Sequence, residues 1–122
     1  MTKNAKKELG EKGEELAAKH LQSKGYEIIH KNYRSGRAEI DIIAQIGNDT
    51  VFVEVKTRNT HYFGNPEEFV STNKEQLYFA AADEYCSKNE IEHGIRFDRI
   101  SVVIEKNNTE ITHFEDAFWP MA

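Results

Sequence analysis

Apolar and polar positions alternate most clearly in the middle of the chain. Two runs rich in β-branched residues, Ala38–Ile46 and Val51–Lys56, are separated by a Gly47-Asn48 step. Such runs around a Gly-Asn step predict a β-hairpin. A turn shifted to Asn48-Asp49 would change the strand partners but keep the same faces.

The spacing elsewhere predicts two helices and three further strands. Apolar residues recur at helical spacing over Lys7–Lys24 and from about Asn73 to Lys88, and Gly25 is a stop signal for the first helix. Strands are predicted at Tyr26–Tyr33, Ile95–Ile104 and Thr109–Phe114. The order predicts an α/β domain in which a meander of three antiparallel strands follows the first helix and the second helix crosses over to two more strands.

Several local expectations follow from the same pattern. The packing face of the second helix is predicted at Leu77, Ala80, Ala81 and Tyr85. Asn59–Phe69 is interpreted as a loop that either contacts a substrate or only connects elements. In the tail after residue 114, Phe118 and Trp119 are expected to pack onto the body.

Size and composition are those of one globular domain spanning residues 1–122, with 39% hydrophobic and 11% aromatic residues. The first residues contain no apolar stretch, so no secretory signal is predicted, and no run is long enough for a membrane-spanning helix. Cys86 is the single cysteine. It is expected to pack in a helix and fits a reducing cytoplasm, which is the predicted location.

Charge is distributed unevenly along the chain. The formal net charge is −5, but residues 1–37 contain nine Lys and Arg against five Asp and Glu, whereas the remainder contains seven against sixteen. A local basic stripe can follow nucleic-acid phosphates despite an acidic total. The alternative is that the lysines of the first helix only solvate an exposed face.

Charged residues inside the hairpin are the main candidates for chemistry. Glu39 and Asp41 are predicted on one strand face, and so are Glu54 and Lys56. With a two-residue turn, Asp41 lies opposite Glu54, and Glu39 lies opposite Lys56. Carboxylates that face each other across two strands repel, and a divalent cation held by oxygen ligands would compensate.

This pattern matches the requirements of phosphodiester hydrolysis. Mg²⁺ or Mn²⁺ held by Asp41 and Glu54, with the Val55 carbonyl as a further oxygen, can activate water and neutralise a phosphate. Lys56 is then placed to orient the water or hold the phosphate, and Glu14 could complete the ion shell from the first helix. The ligands are oxygen atoms and the sequence shows no Cys/His cluster, so zinc is not the expected metal.

A purely structural interpretation stays open beside it. A Glu-x-Lys step is also normal on a solvated sheet face, where Glu39 would pair with Lys56 and Asp41 would merely be exposed. Glu14 would then be an ordinary surface glutamate.

Four basic residues near the hairpin are candidate nucleic-acid contacts, namely Arg34, Arg37, Arg58 and Lys74. A lysine in the first turn of a helix is unfavourable for the helix dipole, which suggests a task such as phosphate binding for Lys74. A solvated lysine is the alternative.

The motifs together resemble the UPF0102 (YraN-like) family over nearly the whole chain. The matching segments are G-x-x-G-E-x-x-A at Gly10–Ala17, N-x-R at Asn32–Arg34, E-I-D-I-I-A at Glu39–Ala44, F-V-E-V-K-x-R at Phe52–Arg58 and R-F-D at Arg96–Asp98. The resemblance implies membership of the PD-(D/E)XK nuclease superfamily, related to Holliday-junction resolvases, with a restriction-endonuclease-like core in which helices flank a central mixed sheet.

The resemblance also implies a function and a set of site residues. Asp41, Glu54 and Lys56 match the Asp…Glu-x-Lys positions, and Glu14 matches the helical acid. The implied activity is a Mg²⁺- or Mn²⁺-dependent endonuclease that acts on DNA, including branched or damaged DNA, for which junction cleavage would favour a homodimer. The rival hypothesis is an inactive nuclease-fold module that binds nucleic acid or a protein partner.

Overall fold

The computed structural model describes residues 3–59 and 72–118, with side chains from residue 75 onward in the second range. The elements in chain order are α1 (Lys3–Ser23), β1 (Glu27–Ser35), β2 (Ala38–Ile46), β3 (Asp49–Arg58), α2 (Thr72–Lys88), β4 (Ile95–Glu105) and β5 (Asn108–Phe114). The strands form one sheet in the order β1-β2-β3-β4-β5. Only the β3–β4 pair is parallel. The α/β prediction with a mixed sheet is therefore confirmed, and α2 lies in the crossover.

The two hairpins of the meander close with short glycine-containing turns. Ile46 pairs with Asp49 across Gly47-Asn48, which confirms the predicted two-residue turn. Gly47 has a φ of 55° and Gly36, in the turn between β1 and β2, has a φ of 59°. Glycine takes these left-handed conformations without a steric penalty.

The core lies on both faces of the sheet. One cluster packs beneath α1 and contains Leu21, Ile42, Val53, Ile100 and Val102, all buried. The other packs beneath α2 and contains Ile40, Ile43, Phe52, Tyr78 and Phe97. Both faces of the central strands are therefore buried, which explains the nearly continuous apolar run in β2.

Helix α1 lies close to β3 because it has a glycine at the contact. A Cβ on Gly13 would lie 1.7 Å from the Thr57 Oγ1 and 2.6 Å from the Thr57 Cβ. No side chain larger than hydrogen fits there without movement of the helix. The predicted apolar face of this helix is correct, since Gly13, Ala17 and Leu21 are buried.

The predicted packing face of α2 is confirmed at Ala81 and Tyr85 and is wrong at Leu77 and Ala80. Tyr78, Ala81 and Tyr85 are buried, whereas the Leu77 side chain is 44% exposed. Ala80 is exposed as well. The buried stripe is thus rotated by about one residue, because the large Tyr78 ring rather than Leu77 fills the space over the sheet.

A buried ionic cluster links β4 to β5 and to the segment that follows it. The Asp98 carboxylate is fully buried and accepts two hydrogen bonds from the Arg96 guanidinium, both 2.9 Å. The His113 Nε2 lies 2.7 Å from Asp98 Oδ2, and the Asp116 amide donates to Oδ1 at 2.9 Å. Burial alone would raise the pKa of Asp98, but the bonds from His113, Arg96 and Asp116 outweigh it and lower that pKa.

Other sequence expectations fall partly outside the described residues. Phe118 is buried against Tyr78 and Phe97, as predicted, but Trp119 lies outside them. The predicted Asn59–Phe69 loop also lies outside the described residues, except for Asn59. Neither of the two described helices combines the length and apolarity that a membrane span requires.

Candidate active site at a fork in the sheet

Strands β2 and β3 separate at the end opposite their turn. Their pairing runs from Ile46 with Asp49 to Ile42 with Val53 and ends there. Beyond that point β2 continues beside β1, and β3 continues beside β4 as far as Arg58. We call the diverging segments, residues 38–41 of β2 and 54–58 of β3, the fork.

Asp41 sits at the point where the fork opens. Its Oδ2 accepts a hydrogen bond of 2.8 Å from the backbone amide of Val55. The side chain thereby satisfies a strand amide just beyond the last backbone pair. The N–H and C=O of one strand residue point toward the same neighbouring strand, so the Val55 carbonyl also points into the fork.

The regular alternation of side chains along β2 breaks at Asp41. Ile40 belongs to the cluster beneath α2, whereas Ile42 belongs to the cluster beneath α1, although residues two apart on a regular strand share a face. The β1–β2 register brings Asn32 opposite Asp41, and Asn32 has a φ of 55°. The regular alternation that predicts Glu39 and Asp41 on one face therefore does not apply here.

Asp41 and Glu54 line the same cleft, as the two-residue turn predicts. This cleft has a volume of about 190 Å³ and is also bordered by Arg37, Glu39 and Tyr78. Glu54 is only 2% exposed. Two carboxylate side chains, one of them almost fully buried, therefore line the same small cleft.

Tyr78 forms the wall of this cleft on the α2 side. Burial, followed by the negative charges of Asp41 and Glu54, raises the pKa of Tyr78 well above its ordinary value. Its hydroxyl is buried and has no hydrogen-bond partner within the described part of the chain. The phenol therefore keeps its proton at neutral pH and can act only as a neutral hydrogen-bonding group.

Glu14 belongs to α1, which packs on the other side of the sheet. Burial and the nearby Glu39 charge raise its pKa, while a hydrogen bond with the Asn32 side chain acts in the opposite direction. Glu14 borders two grooves of about 590 and 470 Å³. It does not line the cleft that holds Asp41 and Glu54.

Lys56 lies in the larger of these grooves, together with Glu14. Asp41 and Glu54 thus border one cleft, whereas Glu14 and Lys56 border the larger groove. The alternation of β3, with Val53 and Val55 on the α1 side, nevertheless places Lys56 on the same strand face as Glu54. Glu39 borders both the cleft and the smaller groove. It forms an ion pair of 2.9 Å with Arg34, whereas the structural alternative paired it with Lys56.

The basic candidates are found around both regions. Arg37 borders the acidic cleft, Arg34 borders the smaller groove, and Arg58 borders the larger one. The Arg34–Glu39 pair is exposed on the arginine side, so it contributes about 0–1 kcal/mol and can exchange for another anion. The Lys74 side chain lies outside the described part of the structure.

Comparison with known proteins places the chain in a family. It matches the model of "Uncharacterised protein family UPF0102" over residues 13–102. It is 46% identical over 112 residues to a UPF0102 protein of Christiangramia forsetii, covering 92% of this chain and 94% of the relative. The chain belongs to the UPF0102 family.

Other UPF0102 relatives agree over the same extent. Identity is 48% over 112 residues with a protein of Flavobacterium psychrophilum, covering 92% of this chain and 94% of the relative. It is 43% over 113 residues with one of Phocaeicola vulgatus, covering 93% of each. The matched region of the UPF0102 model contains the fork, Glu14 and Tyr78.

The donor set of this UPF0102 fork restricts which metal could fit. Within residues 3–59 and 72–118, no three or more His, Cys, Asp or Glu side chains form a group able to hold a metal ion. The fork offers two carboxylates, Asp41 and Glu54, and the Val55 carbonyl. Mg²⁺ commonly uses one or two carboxylates together with waters and substrate phosphates, so this set fits Mg²⁺ or Mn²⁺ better than a closed zinc site.

Two residues at the UPF0102 fork were not identified from the sequence as site residues. Asn32 appears in the N-x-R motif, but the sequence does not indicate its left-handed backbone or its hydrogen bond with Glu14. Tyr78 sits in a helix whose sequence gives no chemical signal. The one indication in the sequence is that Tyr78 lies next to the predicted packing face of α2.

Proposed function

We propose that this protein is a Mg²⁺- or Mn²⁺-dependent endonuclease of the PD-(D/E)XK superfamily that hydrolyses phosphodiester bonds of DNA. The proposal is carried by one observation, namely that Asp41 and Glu54 converge in one cleft where the sheet forks. Polar strand residues are costly in a buried position, and a hard dication is the partner that such a pair suits. We expect the reaction in the cytoplasm, on branched or damaged DNA.

The residues of the chain have separable tasks in this proposal. Asp41 and Glu54 would hold the ion with the Val55 carbonyl, and the ion would lower the pKa of a bound water and neutralise charge on the phosphate. The Val55 amide fixes the orientation of the Asp41 carboxylate. Lys56 would hold the phosphate from the neighbouring groove.

Glu14 has a role that differs from that of the other acids. Burial and the Glu39 charge raise the pKa of Glu14, so it binds a proton more readily than an ordinary surface carboxylate does. It borders the groove that also contains Lys56. We assign it to proton transfer or to a water-mediated contact with the ion rather than to direct ligation.

Basic residues around the clefts would position the DNA backbone. Arg34, Arg37, Arg58 and Lys74 are the proposed phosphate contacts. Phosphate contacts fix register without reading sequence, which agrees with a structure-selective rather than a sequence-selective enzyme. Cleavage of a four-way junction would require two copies, so a homodimer is the proposed form on such DNA.

The test compares cleavage of plasmid, single-stranded and junction DNA with Mg²⁺, with Mn²⁺ and with EDTA. Asp41→Asn and Glu54→Gln keep the side-chain shapes, and Glu27→Gln on the exposed edge strand is the matched control. We expect each fork variant to lose more than about a hundredfold in rate, while the control stays at the wild-type level. Equal cleavage by wild type and both fork variants would overturn the assignment.

A second candidate is an inactive module that binds nucleic acid or a protein partner. It is favoured by the Asp41–Val55 hydrogen bond, which gives Asp41 a structural task, and by the absence of a three-acid group among the described residues. Salt-dependent DNA binding without metal-dependent cleavage would favour this candidate. Binding to neither DNA nor metal would favour a protein partner.

A further inference from the structure

Two glycines lie one helical turn apart in α1, but only one is explained by packing. A Cβ on Gly13 would collide with Thr57, whereas a Cβ on Gly10 would meet no heavy atom of the described residues within 4 Å. Gly10 also has no positive φ. Glycine in a helix interior costs stability relative to alanine, so neither packing nor backbone conformation accounts for Gly10.

The missing side chain at Gly10 opens onto the two grooves beneath α1. The larger groove is bordered by Lys6, Gly10, Glu14 and the end of β3 from Val55 to Asn59. The smaller one shares Lys6, Gly10 and Glu14 and extends to Arg34 and Glu39. Glu39 in turn borders the acidic cleft at the fork. The grooves and the cleft therefore form a series of neighbouring depressions that passes the Gly10 backbone.

Basic residues outnumber acidic ones on the border of the larger groove, whereas the two kinds are equal in number on the border of the smaller groove. In the larger groove Lys6, Lys56 and Arg58 outnumber the single acid Glu14, and Lys6 and Lys56 are exposed. The first 37 residues carry an excess of positive charge in a chain that is acidic overall. The phosphates of a nucleic-acid backbone would be attracted to an excess of positive charge, whereas a peptide strand has no such requirement.

We propose that one strand of nucleic acid crosses α1 at Gly10, where its backbone approaches the helix too closely for a side chain, and that Lys6 contacts its phosphates. This inference rests on the proposed function for the identity of the ligand, but it concerns binding and does not require cleavage. It assigns Lys6 to the binding surface. It also explains a glycine that weakens its own helix.

The test measures binding of a fluorescein-labelled oligonucleotide, single-stranded and as a duplex, by fluorescence anisotropy. Ca²⁺ replaces Mg²⁺ so that binding is measured without turnover. Gly10→Leu fills the groove, and Gln22→Leu adds the same side chain at an exposed position of the same helix. Lys6→Ala removes the proposed phosphate contact, and Lys19→Ala on the same helix is its control.

We expect Gly10→Leu to weaken binding by about tenfold or more, equivalent to about 1.4 kcal/mol, with Gln22→Leu unchanged. Lys6→Ala should reduce the slope of log affinity against log salt by about 0.7–0.9, and Lys19→Ala should not. Gly10→Ala should raise the melting temperature by a few degrees and weaken binding. This combination separates a ligand contact from a folding defect.

The two proposals fail in different ways. Wild-type affinity in Gly10→Leu, with an intact fold by circular dichroism, would overturn the groove assignment while leaving the endonuclease proposal in place. Tight binding that depends on Gly10 and Lys6, without cleavage in Mg²⁺ or Mn²⁺, would overturn the endonuclease and retain the groove. No binding of either oligonucleotide by the wild type would overturn the groove assignment and count against DNA as the substrate.

Discussion

Replacing Asp98 by Asn should be the most destabilising conservative change in the β4–β5 half of the sheet. The carboxylate is fully buried and accepts four hydrogen bonds, two from Arg96 and one each from His113 and the Asp116 amide. Asn retains one acceptor oxygen and turns an N–H₂ donor toward groups that are themselves donors. Arg96 also loses its buried counter-charge.

The expected magnitude follows from these contacts. Hydrogen bonds to charged groups contribute about 1.5–3 kcal/mol each, but they are not additive, and some are kept by the remaining oxygen. Breaking one side of a buried ion pair costs about 3–5 kcal/mol, and we expect Asp98→Asn to fall in that range. This is a large part of the roughly 5–15 kcal/mol that stabilises a typical domain.

Urea denaturation measures the change, with Glu27→Gln on the exposed edge strand as the control. With a denaturant slope of about 1–3 kcal/mol/M, the midpoint for Asp98→Asn should fall by about 1 M or more. A loss below about 1 kcal/mol would refute the reasoning, since it would mean that the cluster contributes little beyond packing. Arg96→Met removes the other member of the buried ion pair. In a double-mutant cycle with Asp98→Asn it should show strong coupling, because both substitutions break the same pair.

The same carboxylate predicts a pH dependence with a defined sign. Because the folded pKa of Asp98 is lowered, its stabilising contribution is fully present above the unfolded pKa of about 3.9. It is lost as the pH falls through the folded pKa. The stability difference between wild type and Asp98→Asn should therefore be constant near neutral pH and shrink below about pH 4. A difference that shrinks above pH 5 would contradict the assignment of this pH dependence to Asp98.

Two further predictions concern the fit of the helices to the sheet. Gly13→Ala should destabilise the fold by up to about 2 kcal/mol, because the clash with Thr57 costs about 1–3 kcal/mol, against a gain of about 1 kcal/mol in helix propensity. Raised stability in urea denaturation would mean that α1 moves freely away from β3. Tyr78→Phe should leave stability unchanged or raise it by up to about 1 kcal/mol, because it deletes a buried hydroxyl without a partner among the described residues; a loss of more than 1 kcal/mol in the same assay would show that the hydroxyl is bonded in solution.

The hairpin and the helices could be predicted from the sequence because their signals are local. The Gly47-Asn48 turn fixes the register of β2 and β3, and that register alone brings Asp41 and Glu54 together. The end of the ladder at Ile42 and Val53 could not be predicted in this way. It coincides with a left-handed Asn32 in β1, which lies between the residues that pair with Ile40 and Ile42, and no local signal in the sequence predicts that conformation.

The remaining differences have a similar origin. Helical spacing alone does not decide whether Leu77 or Tyr78 is the buried residue of α2. The shape of the sheet beneath the helix decides it. Arg96 precedes Asp98 on the same strand, but the other hydrogen-bond partners of Asp98, His113 and the Asp116 amide, come from β5 and the segment after it. Such a distant pairing leaves no periodic signal in the sequence.

The parallel pairing of β3 with β4 has a consequence for how the chain folds. The β1–β2–β3 meander closes through tight turns, whereas β4 can dock only after the chain has passed through α2, and such long-range closure is slow. Until β4 docks, β3 has an unpaired edge that contains the apolar residues Phe52 and Val53. Bare apolar edges of this kind pair with other chains, so conditions that delay β4 docking should promote aggregation through β3 during refolding.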